Sequence, residues 1–236
     1  MKLDVKTPQL SLSKDLLRFR PSETAFKAFI GQLAELQQKI DNKEREDQQK
    51  TYVQNFLRDA FYRGTNDVNS KGTIDLAIHK GATAASPVEV IIETKAPGNK
   101  AQMVSAARPN VKAMHELVLY FMRERVDENN IDLKFLIATN INEWFIFSAS
   151  DFNRLFYENK KFKKTYQDWR DRLQVSSNTD HFYDEIVRPF IAGLDETIDC
   201  AYFDLREYRG TTSDRKLISL FKILSPYFLL KRQFCR

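Results

Sequence analysis

Two short strand patterns joined by a brief loop constrain this chain more than any other feature. Residues 71–80 alternate in character, with Ile74, Leu76 and Ile78 in one row and Asp75 beside Ala77 in the other. Residues 88–95 repeat the logic: Val88, Val90 and Ile92 form an apolar row, while Glu89, Ile91, Glu93 and Lys95 form the opposite row and turn polar at its end. Side chains two apart on a strand share a face, so Glu93 and Lys95 point the same way. The connection over residues 81–86 suits a hairpin, which makes antiparallel pairing the simplest expectation. Such pairing would bring Asp75, Glu93 and Lys95 to one point.

Two carboxylates and an ammonium at one point suit phosphodiester hydrolysis. A hard divalent cation such as Mg²⁺, with Mn²⁺ as a substitute, takes oxygen ligands from one or two carboxylates plus water and substrate phosphate. Asp75 and Glu93 are the expected metal ligands, and the Thr94 carbonyl would add a backbone oxygen. The ion would polarise the phosphate and lower the pKa of a bound water. Lys95 would orient that water or offset charge developing in the transition state. Glu-x-Lys is common on solvated strands; here its placement between two apolar strands, before the turn Ala96-Pro97-Gly98-Asn99, sets it apart.

Composition bounds the rest. The chain has 236 residues, 42% hydrophobic and 29% charged, enough for a substantial core. No apolar run approaches the roughly 20 residues that span a bilayer. The first fifteen residues lack the apolar centre of a signal peptide, so a cytoplasmic location is expected. Cys200 and Cys235 stand far apart without zinc-ligand spacing, which argues against structural zinc and a disulfide framework. The net charge of +5 has the sign for a polyanionic partner. Lys160, Lys161, Lys163, Lys164, Arg170 and Arg172 alternate with Phe162, Tyr166 and Trp169. They read equally as a phosphate-contacting face or as a solvated helix whose aromatics pack inward. Lys14, Arg18 and Arg20 read as ordinary solvated charge.

Residues 22–62 lack proline and hold only Gly31, which predicts one long helix or two consecutive ones, capped at Ser22. Val53, Leu57 and Ala60 share a stripe that extends back to Glu46. Residues 63–70 read as a turn-rich connection. A helix over about 111–125 would bury Val111, Met114, Val118 and Phe121, with His115, Glu116 and Tyr120 beside that stripe. Residues 133–138 and 143–148 read as two further strands, apolar enough for burial on both faces.

With these motifs the chain resembles the PD-(D/E)XK nuclease superfamily, in particular the N-terminal endonuclease region of fused type IIG restriction-modification enzymes. The similar segments are QNFLRDAFY, TIDLAIHKG, VEVIIETKAPGNKAQM, AMHELVLYFMRER, FLIATNINEWFIFSASDFNRLF and ISLFKILSPYFLLK, from about residue 20 onward. Ile74 precedes Asp75 where the superfamily's name has proline. The resemblance implies an α/β fold with a restriction-endonuclease-like core, a mixed central sheet flanked by helices, over residues 1–150. A mainly helical extension over 151–236 would lead toward methyltransferase and target-recognition domains of a longer polypeptide. It implies metal-dependent cleavage of double-stranded DNA, with Glu46 as a fourth catalytic participant beside Asp75, Glu93 and Lys95. His115 or Tyr120 would occupy the helix position where a polar residue approaches the metal in some relatives. No Asn-Pro-Pro-Tyr motif and no Gly-rich S-adenosylmethionine loop occurs, so methylation is not expected of this chain. The apolar run over 218–230, followed by a short basic end, reads as the start of a connector and suggests a truncated piece. Two rivals stand beside this reading: a noncatalytic DNA-binding or assembly module that keeps the nuclease fold, and an exonuclease or repair nuclease that needs a DNA end.

Overall fold

The two strand patterns pair as expected and lie toward one edge of a larger sheet. The computed structural model describes residues 1–40, 46–209 and 214–231, with Glu46 as backbone only. Its strands are β1 (Lys2–Lys6), β2 (Val68–Lys71), β3 (Ile74–His79), β4 (Val88–Thr94), β5 (Phe135–Thr139), β6 (Glu143–Ser148) and β7 (Thr197–Asp204). They lie in the order β1-β7-β6-β5-β4-β3-β2. The β1/β7 and β4/β5 pairs are parallel and the others antiparallel, so the sheet is mixed. The longer helices are α1 (Glu23–Lys39), α2 (Glu46–Leu57), α3 (Lys112–Met122), α4 (Lys160–Arg170) and α5 (Asp214–Leu224). No helix among the described residues is long and apolar enough to cross a membrane.

Helices cover both faces, which explains why every residue of β4 is buried. Leu76, Ile78, Val90 and Ile92 pack with Phe29 of α1, Val53 and Phe56 of α2, and Phe221 of α5. Ala77 and Ile91 pack on the other face with α3 and with Phe162, Tyr166 and Trp169 of α4. These three aromatics recur at i, i+4 and i+7, and burying each contributes about 1.5–3 kcal/mol. The inward-packing reading of the basic helix therefore holds for its aromatics. Some of its cations are engaged locally: Lys164 pairs with Asp168, Arg170 with Asp127 and Asp171, and Lys163 lies 3.9 Å from the Tyr157 ring centroid.

Local chemistry sets the element ends. Ser22 caps α1 by accepting from Ala25 N at 3.2 Å, as expected. Residues 22–62 divide into two helices, α2 continuing through a wider turn over Arg58–Tyr62. The stripe of α2 buries Val53, Phe56 and Leu57, while Ala60 is only half-buried. The parallel β4-to-β5 connection carries α3, the crossover such a pair requires.

Three expectations need correction. Residues 68–71 form strand β2 rather than part of a turn, because Gly72, at φ 58°, closes a tight hairpin onto β3. Val88 does not join the Val90 row. The pairing slips by one between Ile78 and His79, so Val88 pairs with His79 across a bulge at Glu89 and packs on the sheet face of Ala77 and Ile91. The 151–236 extension is mainly helical but also supplies β7, which sits between β6 and β1. The apolar run over 218–230 buries Leu220, Phe221, Ile223, Leu224, Leu229 and Leu230 in this chain's own core.

Candidate active site

The register of β3 and β4 decides what meets at their shared end. Leu76 faces Ile92 and Ala77 faces Ile91; continuing one pair further sets Asp75 opposite Glu93. Like charges directly opposite on adjacent strands repel, so both carboxylates need compensation. Asp75 finds it in Thr94, whose N–H and hydroxyl both donate to Oδ2, at 3.0 and 2.8 Å. Its Oδ1 lies 3.7 Å from the Lys50 ammonium on α2. Glu93, buried to 1% exposure, pairs with Lys95, itself buried to 3%. Lys95 also reaches Glu116 Oε2 on α3 at 2.8 Å.

The electrostatics follow from this geometry. Burial, then the Glu116 charge, push the Glu93 carboxyl well above the usual range against the pull of Lys95. Burial opposes the Lys95 charge, yet Glu93 and Glu116 outweigh it and hold the ammonium protonated. Burial, then the same two carboxylates, raise the Tyr120 phenol, and burial, then Glu116 and Glu93, raise that of Tyr183. Both phenols therefore stay protonated, and both side chains are themselves buried.

The structure thus brings together Asp75, Glu93, Lys95, Thr94 and Tyr120. It sets His115 elsewhere: Nε2 lies 2.7 Å from Asn110 Oδ1, and Asn110 donates to the Arg188 carbonyl at 3.0 Å. Burial, then Arg188, lower the His115 pKa to about 4. A neutral ring tying α3 to the Arg188–Ala192 turn is a packing element, not part of the carboxylate cluster. The side chain of Glu46 lies outside the described residues, as does Cys235. Glu116, Lys50 and Tyr183 complete the neighbourhood without having been singled out for a role. The signal for Glu116 was a carboxylate in an otherwise apolar helix, four residues from both Lys112 and Tyr120.

A divalent cation fits the donors present. Asp75 and Glu93 form an all-oxygen set, and Glu93 Oε2 is buried with no hydrogen-bond partner among the described residues. No group of three or more His, Cys, Asp or Glu side chains placed to hold an ion occurs among those residues. Thr94 contributes through its side chain and N–H as a clamp on Asp75. Thr94→Val keeps the shape but deletes a charge-assisted bond, and the unfolding free energy is expected to fall by about 1.5–3 kcal/mol in urea denaturation.

No curated protein and no solved structure matches the chain. A family model does match, over residues 6–236, and its description is a domain of unknown function, DUF7149. With nearly its whole length covered, from within β1 through α5 and beyond, the chain belongs to that family.

Proposed function

We propose that this chain is the metal-dependent endonuclease domain of a restriction-modification enzyme, a phosphodiester hydrolase acting on double-stranded DNA. The observation that carries the reading is the meeting of Asp75, Glu93 and Lys95 at one end of two adjacent strands, in a site closed by α3. The seven-stranded mixed sheet between helix layers is compatible with the restriction-endonuclease-like core that the sequence resemblance implies.

In this proposal Asp75, Glu93 and the Thr94 carbonyl hold Mg²⁺, or Mn²⁺ in its place, and Glu46 at the start of α2 is a fourth catalytic participant beside Asp75, Glu93 and Lys95. When bound, the ion supplies Lewis acidity to the phosphate and lowers the pKa of water. The protein's own groups do the rest. Thr94 fixes Asp75 by Oδ2 and leaves Oδ1 facing outward toward Lys50. Lys95, kept charged by two carboxylates, offsets negative charge at the reacting phosphate. Sequence choice belongs, on this reading, to methyltransferase and target-recognition domains in a longer polypeptide.

The test is nicking and linearisation of supercoiled plasmid by the purified chain in Mg²⁺, Mn²⁺ or EDTA. Metal-dependent cutting is expected, and Asp75→Ala is expected to abolish it. The closed circle excludes an end-requiring exonuclease. Metal-independent DNA binding, unchanged in Asp75→Ala and without cutting in any metal, would instead establish the noncatalytic module.

A further inference from the structure

On the sheet face opposite Glu116, a cleft of about 780 Å³ opens between α5 and the segment leading into α1. Its cations come from two distant parts of the chain: Arg18 and Arg20 from that segment, Arg215 and Lys222 from α5. On α5 the two lie seven residues apart and therefore share a helix face. No ion pair of Arg18, Arg20 or Arg215 occurs among the described residues, whereas Lys164 and Arg170 of α4 each find a carboxylate close by. The acid at the cleft, Glu23, is occupied by Lys27 at 2.6 Å.

Lys222 makes the cleft more than a basic surface. It is only 4% exposed, and its ammonium donates to the Leu17 carbonyl at 2.9 Å, with no carboxylate partner among the described residues. Burial, then the nearby Arg20, pull its pKa down. A buried ammonium with one neutral acceptor is costly, and a chain that keeps one retains donors for an incoming anion. The half-buried rings of Phe19 and Phe26 line the same cleft. Its volume falls in the range of small-molecule sites.

We propose that this cleft binds the phosphomonoester of a nucleotide, either free or as the 5′-phosphate of a DNA end, with Lys222, Arg20 and Arg215 on the phosphate and Phe19 and Phe26 against the base. A phosphate is compact, multiply charged and rich in acceptors, which suits guanidinium forks around a recessed ammonium. Aromatic faces accept any base by stacking. The site stands independently of the nuclease reading, because it shares no residue with the Asp75 cluster.

The experiment is calorimetric titration of the whole chain, in EDTA, with AMP, inorganic phosphate, and matched oligonucleotides bearing a 5′-phosphate or a 5′-hydroxyl. Saturable binding of AMP, or of the 5′-phosphorylated oligonucleotide at least about tenfold tighter than its 5′-hydroxyl twin, is expected; tenfold is 1.4 kcal/mol. AMP binding assigns the free nucleotide, and end discrimination without AMP binding assigns the DNA end. The double variant Arg20→Ala/Arg215→Ala changes only exposed residues and is expected to weaken binding at least about tenfold, as is Lys222→Met. Lys160→Ala/Lys161→Ala is expected to leave it unchanged. Three results would overturn the proposal: no AMP binding together with no preference for the 5′-phosphorylated end, inorganic phosphate binding as tightly as AMP, or equal loss in the Lys160/Lys161 control.

Discussion

Lys95→Met is expected to lower the unfolding free energy by about 3–5 kcal/mol at neutral pH and to reduce metal-dependent nicking by about 10²–10³-fold. Lys95 stands between Glu93 and Glu116, and Asp75 lies across the strand pair, so the ammonium is what makes three neighbouring carboxylates tolerable. Methionine fills the same space and removes the charge, leaving acids that must take up protons or repel. Urea denaturation measures the first effect and plasmid conversion the second. A second variant separates them: Lys95→Met/Glu116→Gln removes one of the stranded acids and should recover part of the stability while nicking stays lost. Recovery of both together would show that Lys95 acts only by holding the fold. A loss below about 1 kcal/mol in Lys95→Met would mean the cluster is far better solvated than its burial indicates.

The second large effect is an acid sensitivity located at His115. Its folded pKa is depressed to about 4 from an ordinary 6.5, because burial and Arg188 disfavour the imidazolium. Between those values the unfolded chain binds the proton and the folded chain does not. Stability therefore rises with pH through this window. It is fully present above about pH 6.5 and lost as the solution is acidified toward pH 4, by about 3 kcal/mol for such a shift. In His115→Gln the urea-derived stability is expected to vary less across pH 4–6.5 by that amount, although the variant is weaker at pH 7 for want of a good Asn110 bond. Unchanged pH dependence would place the imidazole in contact with water.

The hairpin that assembles the site was readable because two independent signals agreed, the period-two alternation and the short loop between residues 80 and 88. Asp75, Glu93 and Lys95 needed nothing more, since i and i+2 on a strand share a side and the loop sets the pairing. Glu116 and Lys50 were not readable in the same way. Each comes from another element, and only the docking of α3 and α2 brings it to within 4 Å of a strand residue. Strand β2 was hidden by its composition, because Asp67, Asn69 and Ser70 are turn formers tolerated on a sheet edge. The displacement of Val88 came from a bulge, which alternation cannot reveal. Strand β7 had left a legible trace: Ile198 and Cys200 alternate with the polar Thr197 and Asp199, but a charged helical neighbourhood masked it. For Glu46 the stripe through Val53 points to a side of the helix, and its side chain lies outside the described residues.

The position of β7 also has a meaning for synthesis on the ribosome. The Met1 amino group donates to the Ile191 carbonyl, 190 residues away, and β1 finds its hydrogen-bonding partner in β7. Chains emerge at about 5–20 residues per second, so β1 waits on the order of 10 s or more without a partner. During that interval it is a bare strand with its ladder groups unpaired, the kind of segment that recruits a neighbouring nascent chain. Lys2, Asp4 and Lys6 place a charge at every second position of β1. In the finished sheet Lys6 pairs with Asp199 on β7 at 2.6 Å. Before β7 exists the same charges are what keep the strand in solution, so their larger contribution comes during translation, before the sheet closes.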